Sequence, residues 1–250
     1  MIIVKPSYKI LSKVEPIEQL QLIEKIGRVC YKSEDKIDKT GESAKRLIGN
    51  LLKWHHEAVI EHSFLSVKFV CDRGVTHELV RHRIASFAQE STRYCNYAND
   101  KFGKQITVIE PYFYKKDPKR YQLWKKAMAE AEKAYFALLK AGSTPQEARS
   151  VLPNSLKTEI TISANFREWR NILKLRCAPD AHPQARELLI PLLKELKKKI
   201  GLLLVLSFLA GSFLYGQNSN GSNASSENST VASLPLSLKW CHTISFGNSS

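Results

Sequence analysis

Cysteine is scarce. The five in 250 residues, at positions 30, 71, 95, 177 and 241, are widely spaced, odd in number and form no CxxC pair. That spacing excludes a zinc ribbon and a disulfide framework, and it fits reduced thiols. The first residues, MIIVKPSYKIL, lack the basic-then-apolar layout of a signal peptide, so a cytoplasmic body is expected. Long apolar runs are nearly missing, which excludes a polytopic membrane protein. Acidic residues are in deficit, with Asp+Glu 24 against Lys+Arg 38 and a net charge of +14. Such a balance points to anionic partners: nucleic acid, a membrane surface or phosphorylated small molecules. What remains is ordinary for a globular protein, with 43% hydrophobic and 25% charged residues. The length suffices for one large domain or two small ones with a real core.

Charge is also missing from one end. Residues 201–250 hold one base, Lys239, and one acid, Glu227, so the first 200 residues carry all of the +14. The expected organisation is a basic body over 1–200 and a tail over 201–250. The tail opens with an apolar run, 200–215, sixteen residues without charge, short of the roughly 20 that span a bilayer. A Ser/Asn-rich stretch from Gln217 to Thr230 follows. Three readings stand for this tail: a membrane anchor, a segment docking on an oligomer, or a non-native extension from another reading frame. The abrupt change in composition favours the last.

Hydrophobic periodicity organises the body as α+β, in one domain. Met1–Leu11 alternates enough for a first strand, and Phe64–Cys71, Ile106–Pro111 and Leu156–Ser163 read as further strands. Helices are expected over Pro16–Tyr31, Glu42–His56, Val75–Arg83, Pro118–Leu139, Phe166–Leu175 and Pro183–Lys199. Asp72-Arg73-Gly74 reads as a turn. Thr144-Pro145-Gln146-Glu147 is a capping box opening a short helix that runs past Arg149. Ile84–Asn99 shows no period and reads as an ordered loop. Two strand–turn–helix units, one ending LVRHR and the other LKLR, weakly echo each other. They predict that two arginine-bearing helix ends sit at similar places on one sheet.

The densest polar stretch is Arg81-His82-Arg83-Ile84-Ala85-Ser86-Phe87-Ala88-Gln89-Glu90-Ser91-Thr92-Arg93-Tyr94. Guanidinium forks suit phosphate, and hydroxyls with loop amides complete an anion nest. A solvated basic face is the plainer reading of a charge run. It does not call for Ser, Gln and Tyr interleaved with arginine.

The pattern RHRxxSxxxxSxRY, present as Arg81, His82, Arg83, Ser86, Ser91, Arg93 and Tyr94, resembles the signature of the flavin-dependent thymidylate synthases. Three further segments resemble family blocks. They are His56-Glu57-Ala58-Val59-Ile60-Glu61-His62, then Ala148-Arg149-Ser150-Val151-Leu152-Pro153, then Asn165-Phe166-Arg167 through Asn171 and Arg176 to His182-Pro183-Gln184. The likeness covers roughly residues 1–200 and none of the tail.

The resemblance implies a mostly antiparallel central sheet flanked by helices, assembled as a homotetramer with active sites shared between subunits. It implies methylation of dUMP to dTMP, with methylenetetrahydrofolate as carbon donor, FAD as redox carrier, NADPH as reductant and no metal. Arg176 would be the catalytic residue, lying against the uracil edge. Glu78, Arg81, Gln89, Ser91, Thr92, Arg93 and Arg149 would contact dUMP. FAD would be held by Arg81, His82, Arg83, Gln89, Asn165, Arg167 and Asn171, and by the segment around Ala58. Three departures from the family pattern stand out. Glu78 stands where the family often has Gln, Ala88 where polar residues are common, and Ala58 where it usually has a small hydroxyl that touches flavin, which puts one hydrogen bond in question. The rival class, a nucleic-acid-binding protein, rests only on the net charge and on basic residues interleaved with aromatics; no common nucleic-acid motif is present. A family member that binds nucleotide without turnover is the other alternative.

Overall fold

The structure is a computed structural model that describes residues 1–205. The readings made for the tail fall almost wholly on 206–250, outside the described residues.

A four-stranded antiparallel sheet forms the centre. Its strands are β2 (Ser7–Ile10), β3 (Phe64–Asp72), β4 (Ala85–Gln89) and β6 (Lys157–Asn165), in the order β2-β3-β6-β4. The two long strands pair along their full length, from Phe64 opposite Asn165 to Asp72 opposite Lys157. Alternation decides the faces. Leu65, Val67, Phe69, Ile160 and Ile162 are fully buried on one face. Each contributes about 1.5–3 kcal/mol of apolar burial. The other face carries Ser66, Lys68, Glu159 and Ser163. Ser66 and Ser163 join hydroxyl to hydroxyl at 2.7 Å, and Lys68 pairs with Glu159 at 2.9 Å.

Helices α1 (Pro16–Val29), α2 (Glu42–Lys53), α6 (Phe166–Arg176) and α7 (Pro183–Val205) contribute Ile23, Ile48, Trp169 and Leu189, among others, to the core on the apolar face. Trp169 is fully buried and donates from its indole to the Leu65 carbonyl at 2.8 Å, so the largest core residue leaves no orphaned donor. A second core, holding Tyr97, Trp124, Tyr135 and Leu156, is covered by α4 (Pro118–Lys140). Beside it β1 (Ile2–Val4) and β5 (Thr107–Ile109) pair in parallel.

Several expectations change, among them the helix expected over Val75–Arg83, which spans Arg73–Leu79 instead. The first strand is two strands in two sheets, because Pro6 has no N–H to offer a continuous ladder. The expected loop at 84–99 contains β4, an edge strand pairing Ala85 with Ala164 and Gln89 with Ile160. Its outward residues, Ser86 and Ala88, are small, and only Phe87 marks the inward face, so the period was too faint to read. Asp72 is a helix cap rather than a turn residue: its Oδ1 accepts from the Val75 amide at 2.7 Å and opens α3 (Arg73–Leu79). The capping box holds, with Glu147 accepting from the Thr144 amide at 2.7 Å, but the helix it opens, α5 (Pro145–Ala148), tightens into a 3-10 turn at Arg149–Val151.

The last helix outruns its expected end at Lys199. It bends at Ile200 (φ −136, ψ 41) and continues to Val205, burying Ile200, Leu203 and Leu204 in the main core. No helix among the described residues is long and apolar enough to cross a membrane.

Candidate functional site

Two helix starts set the geometry. At the end of β3, Asp72 caps α3 and is tied to Gln184 at 2.6 Å. At the end of β6, Asn165 caps α6, accepting from the Glu168 amide at 2.8 Å. The far ends of these two helices meet, a contact the echo between the two units did not itself predict. The meeting point is His82, just past α3, whose Nε2 accepts from Arg176 Nε at 3.0 Å at the last turn of α6.

His82 and Arg176 belong to a line of four side chains. Glu168 Oε1 lies 3.2 Å from His82 Nδ1, and Arg176 Nη1 is bonded to Glu78. His82 and Glu168 are only 4% and 6% exposed. Burial is the largest influence on the His82 imidazole and pushes its pKa down; the Arg176 charge pushes the same way, and Glu168 opposes both. Burial and the Arg176 charge thus favour the neutral ring.

This line lies between two clefts. One, of about 680 Å³, is lined by Glu78, Arg176 and His182. The other, of about 480 Å³, is lined by Asn165, Arg167, Glu168, Asn171 and Lys174, with Glu57, Glu61 and Ile84 across it. Three of the residues expected to hold flavin thus share one cleft. Arg167 is paired with Glu61, and the buried Arg170 with Glu57 at 3.1 Å. Arg170 keeps Nε and Nη1 without a partner, and burial lowers its pKa. The cleft thus mixes cations (Arg167, Arg170, Lys174), carboxylates (Glu57, Glu61, Glu168) and amides (Asn165, Asn171). Ala58 is exposed on the 3-10 turn Glu57–His62 that walls this cleft.

The remaining expected residues make contacts of their own. Gln89 donates to the Thr76 and Thr158 hydroxyls at 3.1 and 3.4 Å, and the Ser91 hydroxyl accepts from the Arg93 amide at 3.3 Å. Arg149 donates to the buried Thr92 hydroxyl at 3.4 Å. The Arg93 guanidinium stands 5.4 Å from the Tyr94 ring centre. Arg81 and Arg83 are exposed on either side of the buried His82. None of these contacts is made to Arg176 or to a residue lining the cleft along α6.

Three residues with a place in this arrangement carried no role in the sequence reading: Glu168, Glu57 and Arg170. Glu168 sits in the first turn of α6, where an acid is ordinary on dipole grounds alone. Arg170 reads as one more basic residue of a helix. The two glutamates at 57 and 61 were visible as part of a motif, but nothing in their spacing named Arg170 and Arg167 as their partners.

Comparison with known proteins decides the family. The family described as thymidylate synthase complementing protein matches residues 14–200. A flavin-dependent thymidylate synthase of Pyrococcus abyssi is 36% identical over 169 residues, 67% of this chain and 68% of that protein. The chain belongs to the flavin-dependent thymidylate synthase family. A second relative of the same name, from Pyrococcus furiosus, is 33% identical over 187 residues, covering 74% of this chain and 75% of its own length. A crystal structure of PolB from Streptomyces cacaoi, described as a UMP/dUMP methylase bound with 5-Br dUMP, has a TM-score of 0.68. It covers 84% of this chain and 97% of its own, at 22% identity, and so shares the fold.

The thiols differ in their exposure. Burial pushes Cys71 up to about 12 and Cys177 up to about 11, whereas Cys30 is exposed. Iodoacetamide applied briefly to the folded protein at pH 8 is expected to modify Cys30 and to leave Cys71 and Cys177 untouched. Peptide mapping that finds Cys71 labelled as fast as Cys30 would contradict the placement. Among the described residues no group of three or more His, Cys, Asp or Glu is placed to hold a metal ion.

Proposed function

We propose that this chain methylates dUMP reductively to dTMP, with methylenetetrahydrofolate as carbon donor, FAD as redox carrier and NADPH as reductant. The observation that carries the reading is the placement of Arg176, in a chain of this family. Its guanidinium is mostly buried, held on one side by His82 and on the other by Glu78, and it borders an open cleft. Uracil C5 is a poor nucleophile until negative charge develops on the ring. An always-charged guanidinium at the N3/O4 edge stabilises that charge where it appears. Bound flavin supplies the electron relay between NADPH and the transferred carbon. The protein's own part is to bind, orient and exclude water. Asn165, Arg167 and Asn171 would hold FAD along α6, with His82, Arg81, Arg83 and Gln89 completing its surroundings. Gln89, Ser91, Thr92, Arg93 and Arg149 would take the nucleotide, together with Arg81 and Glu78.

The family likeness supports an assembly in which copies of the chain complete each other's sites, as a homotetramer would. Working on free nucleotides, the enzyme would be cytoplasmic. The catalytic residues would all lie within 1–200, with 201–250 adding no chemistry.

An absorbance spectrum of the purified protein tests the proposal. A yellow protein whose flavin band bleaches under NADPH, and whose dTMP production depends on dUMP and methylenetetrahydrofolate, is expected. Colourless protein that neither takes up added FAD nor turns over dUMP would sink it.

A further inference from the structure

Glu168 has no assigned part in that chemistry, yet it is nearly buried and touches His82. We propose that Glu168 is a positioning residue: through His82 it fixes the orientation of the Arg176 guanidinium. This rests on the reading of Arg176 given above.

The hydrogen-bond chemistry leaves one arrangement. A guanidinium only donates, so His82 Nε2, 3.0 Å from Arg176 Nε, must accept. A neutral imidazole has one donor and one acceptor, so its proton is on Nδ1. The group facing Nδ1 is the Glu168 carboxylate, an acceptor at 3.2 Å. Remove that acceptor and the Nδ1–H is left buried without a partner, with only the Arg176 bond still favouring that tautomer. The other tautomer would present Nε2–H to Arg176 Nε–H, donor against donor, and turn the guanidinium away.

Glu168 is itself well anchored. It lies in the first turn of α6, under the Asn165 cap, and Asn171 donates to its two oxygens at 3.3 and 3.4 Å. Eight residues separate it from Arg176 along the same helix, a rise of about 12 Å. His82 spans that gap as a strut between the start and the end of one helix. With His82 and Glu168 this deeply buried, water is poorly placed to take over the carboxylate's part. Glu168 also lines the cleft that holds Asn165 and Asn171, so the strut ties that cleft to Arg176.

A merely structural Glu168, present for the helix dipole, would leave the tautomer alone, and that difference makes the test. Nitrogen-15 spectra of the full chain with labelled histidine, His82 being assigned by its loss in His82→Gln, are expected to show Nδ1 protonated and Nε2 bare. Glu168→Leu is expected to shift His82 toward the Nε2–H form. It should lower kcat on the order of tenfold to a hundredfold, the scale at which partners that orient a histidine act elsewhere. KM for dUMP should change far less. Glu168→Gln keeps an acceptor oxygen and should recover most of the loss. A wild-type His82 protonated on Nε2 overturns the proposal, as does Glu168→Leu with the tautomer and kcat both unchanged. Should Glu168→Leu fail to fold, the wild-type spectrum and Glu168→Gln still decide. A wild-type chain without dUMP turnover would instead refute the proposed function, and the tautomer would still report on the strut.

Discussion

Arg176→Ala is expected to leave the protein folded and to lower kcat for dUMP by about a hundredfold to a thousandfold, the usual cost of removing one group that stabilises developing charge. The fold should survive because Arg176 contributes little to the core. Its ion-pair partner, Glu78, is 40% exposed and would be solvated once alone. The buried His82 would lose one donor, worth about 1 kcal/mol. Arg176→Lys keeps the charge but not the planar fork that serves His82 and Glu78 together, so it should fall between the wild type and the alanine variant. Thermal melts and steady-state kinetics on the same samples check both halves. A kcat near that of the wild type in a folded Arg176→Ala would remove Arg176 from the chemistry.

Ending the chain after Lys199 is expected to abolish cooperative folding or to lower the melting point steeply. That cut removes Ile200, Leu203 and Leu204, which are 4%, 0% and 0% exposed in the main core. Truncating one such side chain to alanine costs about 2–5 kcal/mol, and a domain has only about 5–15 kcal/mol in all. Leu202 adds to the seam, packing toward Gly49 on α2, where an added Cβ would stand 4.0 Å from its Cδ1. Calorimetry of the shortened and full chains compares them directly. A cooperative transition at the same midpoint in both would show that the end of α7 is dispensable. The family match stops at residue 200 while the buried helix runs four residues further. Burial there asks for apolar character rather than for particular residues, so similarity fades before packing does.

The same distinction runs through the rest of the molecule. Long elements with a clear period were legible. The helix over Pro118–Leu139 ends within a residue of α4, and the alternation of Leu156–Ser163 marks β6. β4 was not legible, because three of its five residues are Ala or Ser and an edge strand buries little. The break at Pro6 was visible as a proline, but which sheet each half joins depends on partners about 60 and 100 residues away.

At the site, residue types and spacing determined the family and the candidate set. A guanidinium-rich signature and three flanking blocks are local patterns, and local patterns are what a sequence displays. The tertiary structure decided which of those residues meet. It joined Arg176 to His82 across 94 positions and His82 to Glu168 across 86, and Arg149 to Thr92 across 57. The physical reason is that a hydrogen bond depends on where two antiparallel strands deliver their following helices, and no residue carries that distance within its own neighbourhood.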